Sequence, residues 1–143
     1  MCTFFVGDIV EKYIDVILKE AEKSLKSDDV PVGAIIVEKG KIIARAHNTR
    51  EKQKKITGHA EINAIEKASK KKKTWHLPDC VLYVTLKPCK MCLEVIKEAR
   101  IDTIYYLIDR DKKTRDKNIK LIKINHVENQ AKILKEFFKN KRK

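Results

Sequence analysis

The segment CVLYVTLKPCKMCLEVIKEARIDTIYYLI, residues 80–108, decides the fold class. Cys80 to Leu86 is an apolar run with β-branched and aromatic residues and reads as a strand. Lys90 to Ala99 reads as a helix, and Thr103 to Ile108 as the next strand. A parallel strand pair needs a crossover of this kind. The alternation predicts a layered α/β domain.

Working towards the N-terminus, Ala60, Ile62, Ala64, Ile65 and Ala68 set a second helix that ends in Lys70 to Lys73, where cations favour the negative end of the helix dipole. Asn48 to Thr57 is a polar stretch. Val32 to Val37 and Lys41 to Ala46 are β-rich runs joined through Glu38, Lys39 and Gly40, which suits a hairpin. Ile9, Val10, Tyr13, Val16, Ile17, Ala21 and Leu25 recur at three- and four-residue spacing, predicting an amphipathic helix from about Asp8 to Lys26 over one face of the sheet. Towards the C-terminus come a charged stretch without glycine (Asp109 to Asn118), a short strand (Ile119 to Ile124), and a helix on Val127, Ala131, Leu134, Phe137 and Phe138. The 143 residues contain no repeat or long linker and read as one domain, residues 1–143.

Composition narrows the setting. Apolar residues make up 43% of the chain, enough for an ordinary core, but no apolar run approaches the roughly 18 residues of a membrane span. The start, Met1 to Val10, lacks a basic leader region. The expectation is a cytoplasmic protein with no membrane partner. In a reducing compartment the four cysteines favour metal binding or inert burial over disulfides, with Cys80 as buried filler and Cys2 as an incidental thiol. A net charge of +13 suits a polyanionic partner, although a lysine-rich surface also serves solubility.

Two motifs carry the chemistry. Gly58-His59-Ala60-Glu61 opens the second helix, and Lys87-Pro88-Cys89-Lys90-Met91-Cys92 opens the third, with Cys89 thirty positions after His59. Cys89 and Cys92 are three apart, so both sulfurs can face one point on the first turn, and an imidazole from the neighbouring helix completes three protein ligands. Three ligands leave a tetrahedral zinc one position for water, whose pKa then falls to roughly 7. Glu61 is placed to reach that position without binding the metal and to carry protons. The bland alternative is a structural zinc with Cys80, His47 or His76 as fourth ligand, which leaves Glu61 without a purpose.

These residues resemble the cytidine and deoxycytidylate deaminase superfamily, and within it the bacterial tRNA-specific adenosine deaminases. The supporting stretches are Asp29 to Ala34, Ala46 to Glu51, Thr57 to Glu61, Trp75-His76-Leu77, Leu82 to Leu86, Pro88 to Cys92, and Phe137-Phe138. The resemblance implies a three-layer α/β/α fold around a mixed sheet of about five strands. It also implies hydrolytic conversion of a wobble adenosine to inosine in the tRNA anticodon stem-loop, by a homodimer with one Zn2+ per subunit held by His59, Cys89 and Cys92 and with Glu61 as the catalytic residue. It further implies that Asn48 hydrogen-bonds the flipped nucleotide, that Val30 and Pro31 line the base pocket, that the Ala60 backbone contacts the base, and that Phe138 helps hold the anticodon loop. Read without the resemblance, Pro31 shapes a strand entry, Asn48 is a common turn residue, and one of Phe137 and Phe138 is core.

The chain departs from the family pattern in having Lys87 where Glu is usual, Leu93-Glu94 in place of small residues, and no Gly- and Ser-rich loop between Leu107 and Asn118. Two other readings stand beside the leading one. The first is a deaminase of free nucleotides or bases (deoxycytidylate, cytosine or guanine), for which Ile62-Asn63-Ala64 offers some support. The second is a catalytically silent RNA-binding subunit, against which Glu61 argues.

Overall fold

The computed structural model describes residues 3–110 and 115–124, with side chains from Val10 onward. The elements in order are α1 (Thr3–Leu25), β1 (Gly33–Glu38), β2 (Lys41–His47), α2 (Arg50–Gln53), α3 (Ala60–Lys72), β3 (Cys80–Leu86), α4 (Lys90–Glu98), β4 (Thr103–Ile108) and β5 (Lys120–Lys123). The short helix α2 lies within the polar stretch Asn48 to Thr57, for which the sequence pattern names no element. The expected C-terminal helix, with Phe137 and Phe138, lies outside the described residues, as does Cys2.

The five strands form one sheet in the order β2-β1-β3-β4-β5. β1 is antiparallel to both its neighbours, whereas β3 is parallel to β4 and β4 to β5. β2 therefore runs in the same direction as β3. The hairpin closes through Lys39 and Gly40, both with positive φ (48° and 79°), the pattern of a primed two-residue turn whose twist matches its strands. The C-terminal ends of β2 and β3 thus lie at one edge of the sheet, and the N-termini of α3 and α4 follow them.

Helices cover both faces, so the strands alternate between two apolar layers. Ala34, Ile36, Leu82, Val84 and Ile104 pack on the side of α3 and α4, with Ala64, Cys92 and Ile96. Ile35, Val37, Tyr83 and Leu107 pack on the side of α1, against Tyr13, Ile14 and Ile17. This is the three-layer arrangement, and burial on both faces explains why β3 reads as a continuous apolar run. Gly33 lets α1 lie directly on β1, since a Cβ there would collide with the Ile17 carbonyl and the Ala21 nitrogen. No helix among the described residues is long and apolar enough to cross a membrane.

One buried charge ties α1 to the edge strand. Glu20 is 2% exposed and accepts hydrogen bonds from Lys23 Nζ at 2.7 Å and Arg45 Nε at 2.8 Å, with His47 Nδ1 at 3.2 Å. Burial alone would raise its carboxyl, but the bonds from Lys23, His47 and Arg45 outweigh it and hold the group at about 2, below the ordinary 4.5. A depressed folded pKa contributes stability that is fully present above pH 4.5 and is lost as the pH falls towards 2. Glu20→Gln should therefore cost about 1–3 kcal/mol in urea unfolding at neutral pH. The difference from the wild type should shrink across that acid window.

Candidate active site

His59 and Cys89 occupy the residues immediately before α3 and α4. Both have extended backbone (φ −86°, ψ 145° and φ −77°, ψ 173°), and neither side chain caps its own helix. They are thus free to turn towards each other across the edge of the sheet. His59 Nδ1 lies 3.2 Å from Cys92 Sγ and 3.7 Å from Cys89 Sγ, and the three donor atoms lie within 4.8 Å of one another. A tetrahedral zinc with ordinary Zn–S and Zn–N lengths requires donor separations of roughly 3.5 to 3.8 Å, so the donor set and its spacing fit such an ion.

The electrostatics favour a cation. A hydrogen bond from Cys92 holds the Cys89 thiol at about 3, against the opposing effect of burial and with further help from His59. The Cys92 thiol is pushed up, first because it supplies that proton and then because it is buried beside Glu61. A metal held by both sulfurs would require the Cys92 proton to leave, and the cation's charge would compensate for its loss.

Glu61, on the first turn of α3, is 2% exposed. Burial raises its carboxyl, and the Cys89 sulfur adds to the shift while His59 and Arg110 oppose it. The carboxyl shares a pocket of about 580 Å³ with His59, Leu86, Asn48, Val30 and Arg110.

Asn48 is fixed in orientation. The Ala60 N–H donates to Asn48 Oδ1 at 2.7 Å, and because a backbone N–H can only donate, the amide oxygen must face it. The amide nitrogen is thereby left as the donor Asn48 can offer a ligand. Asn63 Nδ2 anchors the same loop through the His47 carbonyl at 3.0 Å and Thr49 Oγ1 at 2.9 Å, which gives Asn63 a structural duty. Gly58 admits the loop at close range, since a Cβ there would meet the Arg50 nitrogen at 2.7 Å.

The fold brings together His59, Cys89, Cys92, Glu61, Asn48 and Val30. Pro31 is buried, with its neighbours Val30 and Val32 lining the pocket in its place. The Ala60 N–H is engaged by Asn48, and Phe138 lies outside the described residues. Sequence reasoning missed Arg50, Arg110 and Asp29, which also line the pocket. Arg50 follows the Asn48-Thr49 motif closely enough to have been suspected, whereas nothing local marks Arg110. Of the departures from the family pattern, Lys87 places its Nζ 5.7 Å from the centre of the Tyr106 ring and Leu93 is core.

A mixed five-stranded sheet between helix layers, with this cluster at its edge, is the cytidine-deaminase-like fold. The chain belongs to the MafB19-like deaminase family, whose sequence model matches residues 10–142. Among curated relatives, the tRNA-specific adenosine deaminase of Aquifex aeolicus is 44% identical over 96 residues, covering 67% of this chain and 64% of that protein. The Bacillus subtilis protein of the same name is 42% identical over 96 residues, covering 67% and 60%. The matched part thus spans somewhat under two thirds of these relatives. A solved structure from work on A-to-I editing by tRNA:A34 deaminases aligns with a TM-score of 0.73 at 31% identity, covering 80% of this chain and 98% of that one. A guanine deaminase from Bacillus subtilis aligns with a TM-score of 0.66 at 27% identity, covering 91% and 93%.

Cys89→Ser and Cys92→Ser should each purify with little bound metal, whereas Glu61→Gln should retain about one equivalent per chain, as expected of three ligands with the carboxylate outside the set. Elemental analysis of the dialysed proteins checks this, and equal metal loss in Glu61→Gln would place that residue among the ligands.

Proposed function

We propose that this chain is a zinc-dependent hydrolase that deaminates the wobble adenosine of tRNA to inosine. The observation that carries the reading is a buried carboxyl, Glu61, sharing one pocket with the oriented amide of Asn48 and with His59 of the His59-Cys89-Cys92 cluster. When bound, zinc supplies the Lewis acidity that makes water nucleophilic near neutral pH.

The protein groups then have distinct tasks. Glu61 takes a proton from the attacking water and delivers protons to the ring nitrogen and the departing amine. The C6–O bond forms, the C6–N bond breaks, and ammonia leaves. A carboxyl whose pKa is raised by burial suits a group that must both accept and release a proton. The Asn48 amide nitrogen presents a donor to an acceptor on the base, and Val30 with Leu86 offers it apolar surface.

The names borne by relatives at 42% and 44% identity support a tRNA substrate over a free base, as does the net charge of +13. The guanine deaminase similarity keeps a free purine as the second reading, and Asn48 serves either. By the family resemblance, the enzyme is a cytoplasmic homodimer with one zinc per subunit, each chain is one domain, and Phe138 contributes to the substrate site.

The deciding experiment measures inosine in an anticodon stem-loop with a wobble adenosine, beside ammonia release from free adenosine, cytidine, deoxycytidylate and guanine. Inosine with silence on the free compounds is the expected result. The reverse pattern would move the enzyme to nucleotide metabolism. Glu61→Gln should lower kcat by at least about 10²-fold while keeping its metal. The KM for the stem-loop should rise steeply with salt, following the counterions released on binding.

A further inference from the structure

Two arginines line the base pocket from separate elements: Arg50 opens α2, and Arg110 follows β4. Neither belongs to the metal cluster or the proton path. Arg50 is exposed and Arg110 partly so, in contrast to the buried Glu61. A free nucleobase is neutral and brings no phosphate for the two guanidinium groups to pair with. A nucleotide entering from within a strand brings a negatively charged phosphodiester on each side of its ribose.

The Arg110 side chain and the Arg50 backbone are held in place. The Arg110 Nε donates to the Lys87 carbonyl at 2.5 Å, which engages the inner N–H of a guanidinium that also carries two terminal amino groups. Arg50 begins a four-residue helix whose preceding residue, Thr49, provides no cap, because its hydroxyl donates to Gln53 Oε1. Asp29 does that work from another part of the chain. Its buried carboxylate accepts from the Glu51 N–H at 2.6 Å, the Lys52 N–H at 3.3 Å and the Ser27 hydroxyl at 2.5 Å. Gly58 presses on the Arg50 backbone from the other side.

Carboxylates also line this pocket, but they are committed. Asp29 serves α2, Glu51 pairs with Lys54 at 3.5 Å, Asp28 is engaged, and Glu61 sits at the metal cluster.

We propose that Arg50 and Arg110 form a two-point phosphate clamp, taking the phosphodiesters on the two sides of the nucleotide whose base enters the pocket, with Asp29 as the positioning residue for Arg50. The proposal rests on the reading of a nucleic-acid substrate. It assigns selection of strand over free base to these side chains, since the pocket accepts the base in both cases.

The test uses the zinc-loaded protein and labelled anticodon stem-loops in which the phosphate 5′ or 3′ of the target adenosine is replaced by an uncharged methylphosphonate. Affinity is read by fluorescence anisotropy and, separately, inosine formation is measured. Each neutral linkage should weaken binding to the wild type by about tenfold, the size of one charge-assisted hydrogen bond. Arg50→Gln should be insensitive to one linkage and Arg110→Gln to the other. Asp29→Ala should match Arg50→Gln at the same linkage and leave the second linkage unaffected, a pattern general loosening of the fold would not give.

The wild type alone can overturn the proposal, by binding native and neutral linkages equally. So can variants that remain as sensitive as the wild type to both linkages. Linkage-dependent binding without inosine would keep the clamp and remove the deaminase reading. Inosine formation indifferent to the linkages would do the opposite, and absence of stem-loop binding would remove both.

Discussion

The site depends on the direction of a single strand. β1 alone runs against the other four, so β2 and β3 deliver their C-terminal ends to the same edge of the sheet. The helices that follow those ends bring His59 and Cys89 there, each in extended backbone just before the first turn, and Cys92 one turn further on. Helix N-termini carry partial positive charge, which favours thiolates and a carboxylate at this edge. Were β2 to run the other way, the same two motifs would point to opposite ends of the strands and no shared centre would form.

Concentrating ionisable groups in a buried edge has a cost that the surrounding structure absorbs. Glu61 and Cys92 are nearly inaccessible; burial raises the Glu61 carboxyl, and the hydrogen bond to Cys89 together with burial raises the Cys92 thiol. The loop that closes the site is held by directional bonds: Asn63 to the backbone at His47, Ala60 to Asn48, and Asp29 to the start of α2. A loop fixed at three points keeps the pocket in shape without relying on the ligand, which lowers the ordering entropy that binding must offset. Near the C-terminal end of α1, the Glu20 network with Arg45 and His47 fixes the base of the same loop, since His47 immediately precedes Asn48.

Much of this was legible in advance. The β3-α4-β4 unit read correctly because its strand, helix and strand patterns are each strong and are separated by clear breaks. The hairpin read correctly because Lys39-Gly40 is turn chemistry, and β5 was anticipated within a residue or two. The short helix α2 was missed because its stabiliser, Asp29, lies some twenty residues earlier in the chain and leaves no local capping signal. Arg50 and Arg110 escaped notice for a related reason: in a chain with 33 lysines and arginines, no single one stands out until the walls of the pocket are known.

The sequence by itself determined the layered α/β class and supplied the candidate metal-ligating residues and the candidate proton carrier. These follow from periodicity and from side-chain chemistry at fixed spacing, both of which act over a few residues. Tertiary structure alone decided that Asn48 turns its amide nitrogen away from Ala60, that Pro31 is buried while Val30 lines the pocket, that Asn63 serves the loop, and that two distant arginines meet at one cavity. Those facts depend on which strand edges become neighbours and on which backbone N–H groups need a partner once buried, and neither is encoded in any short stretch of the chain.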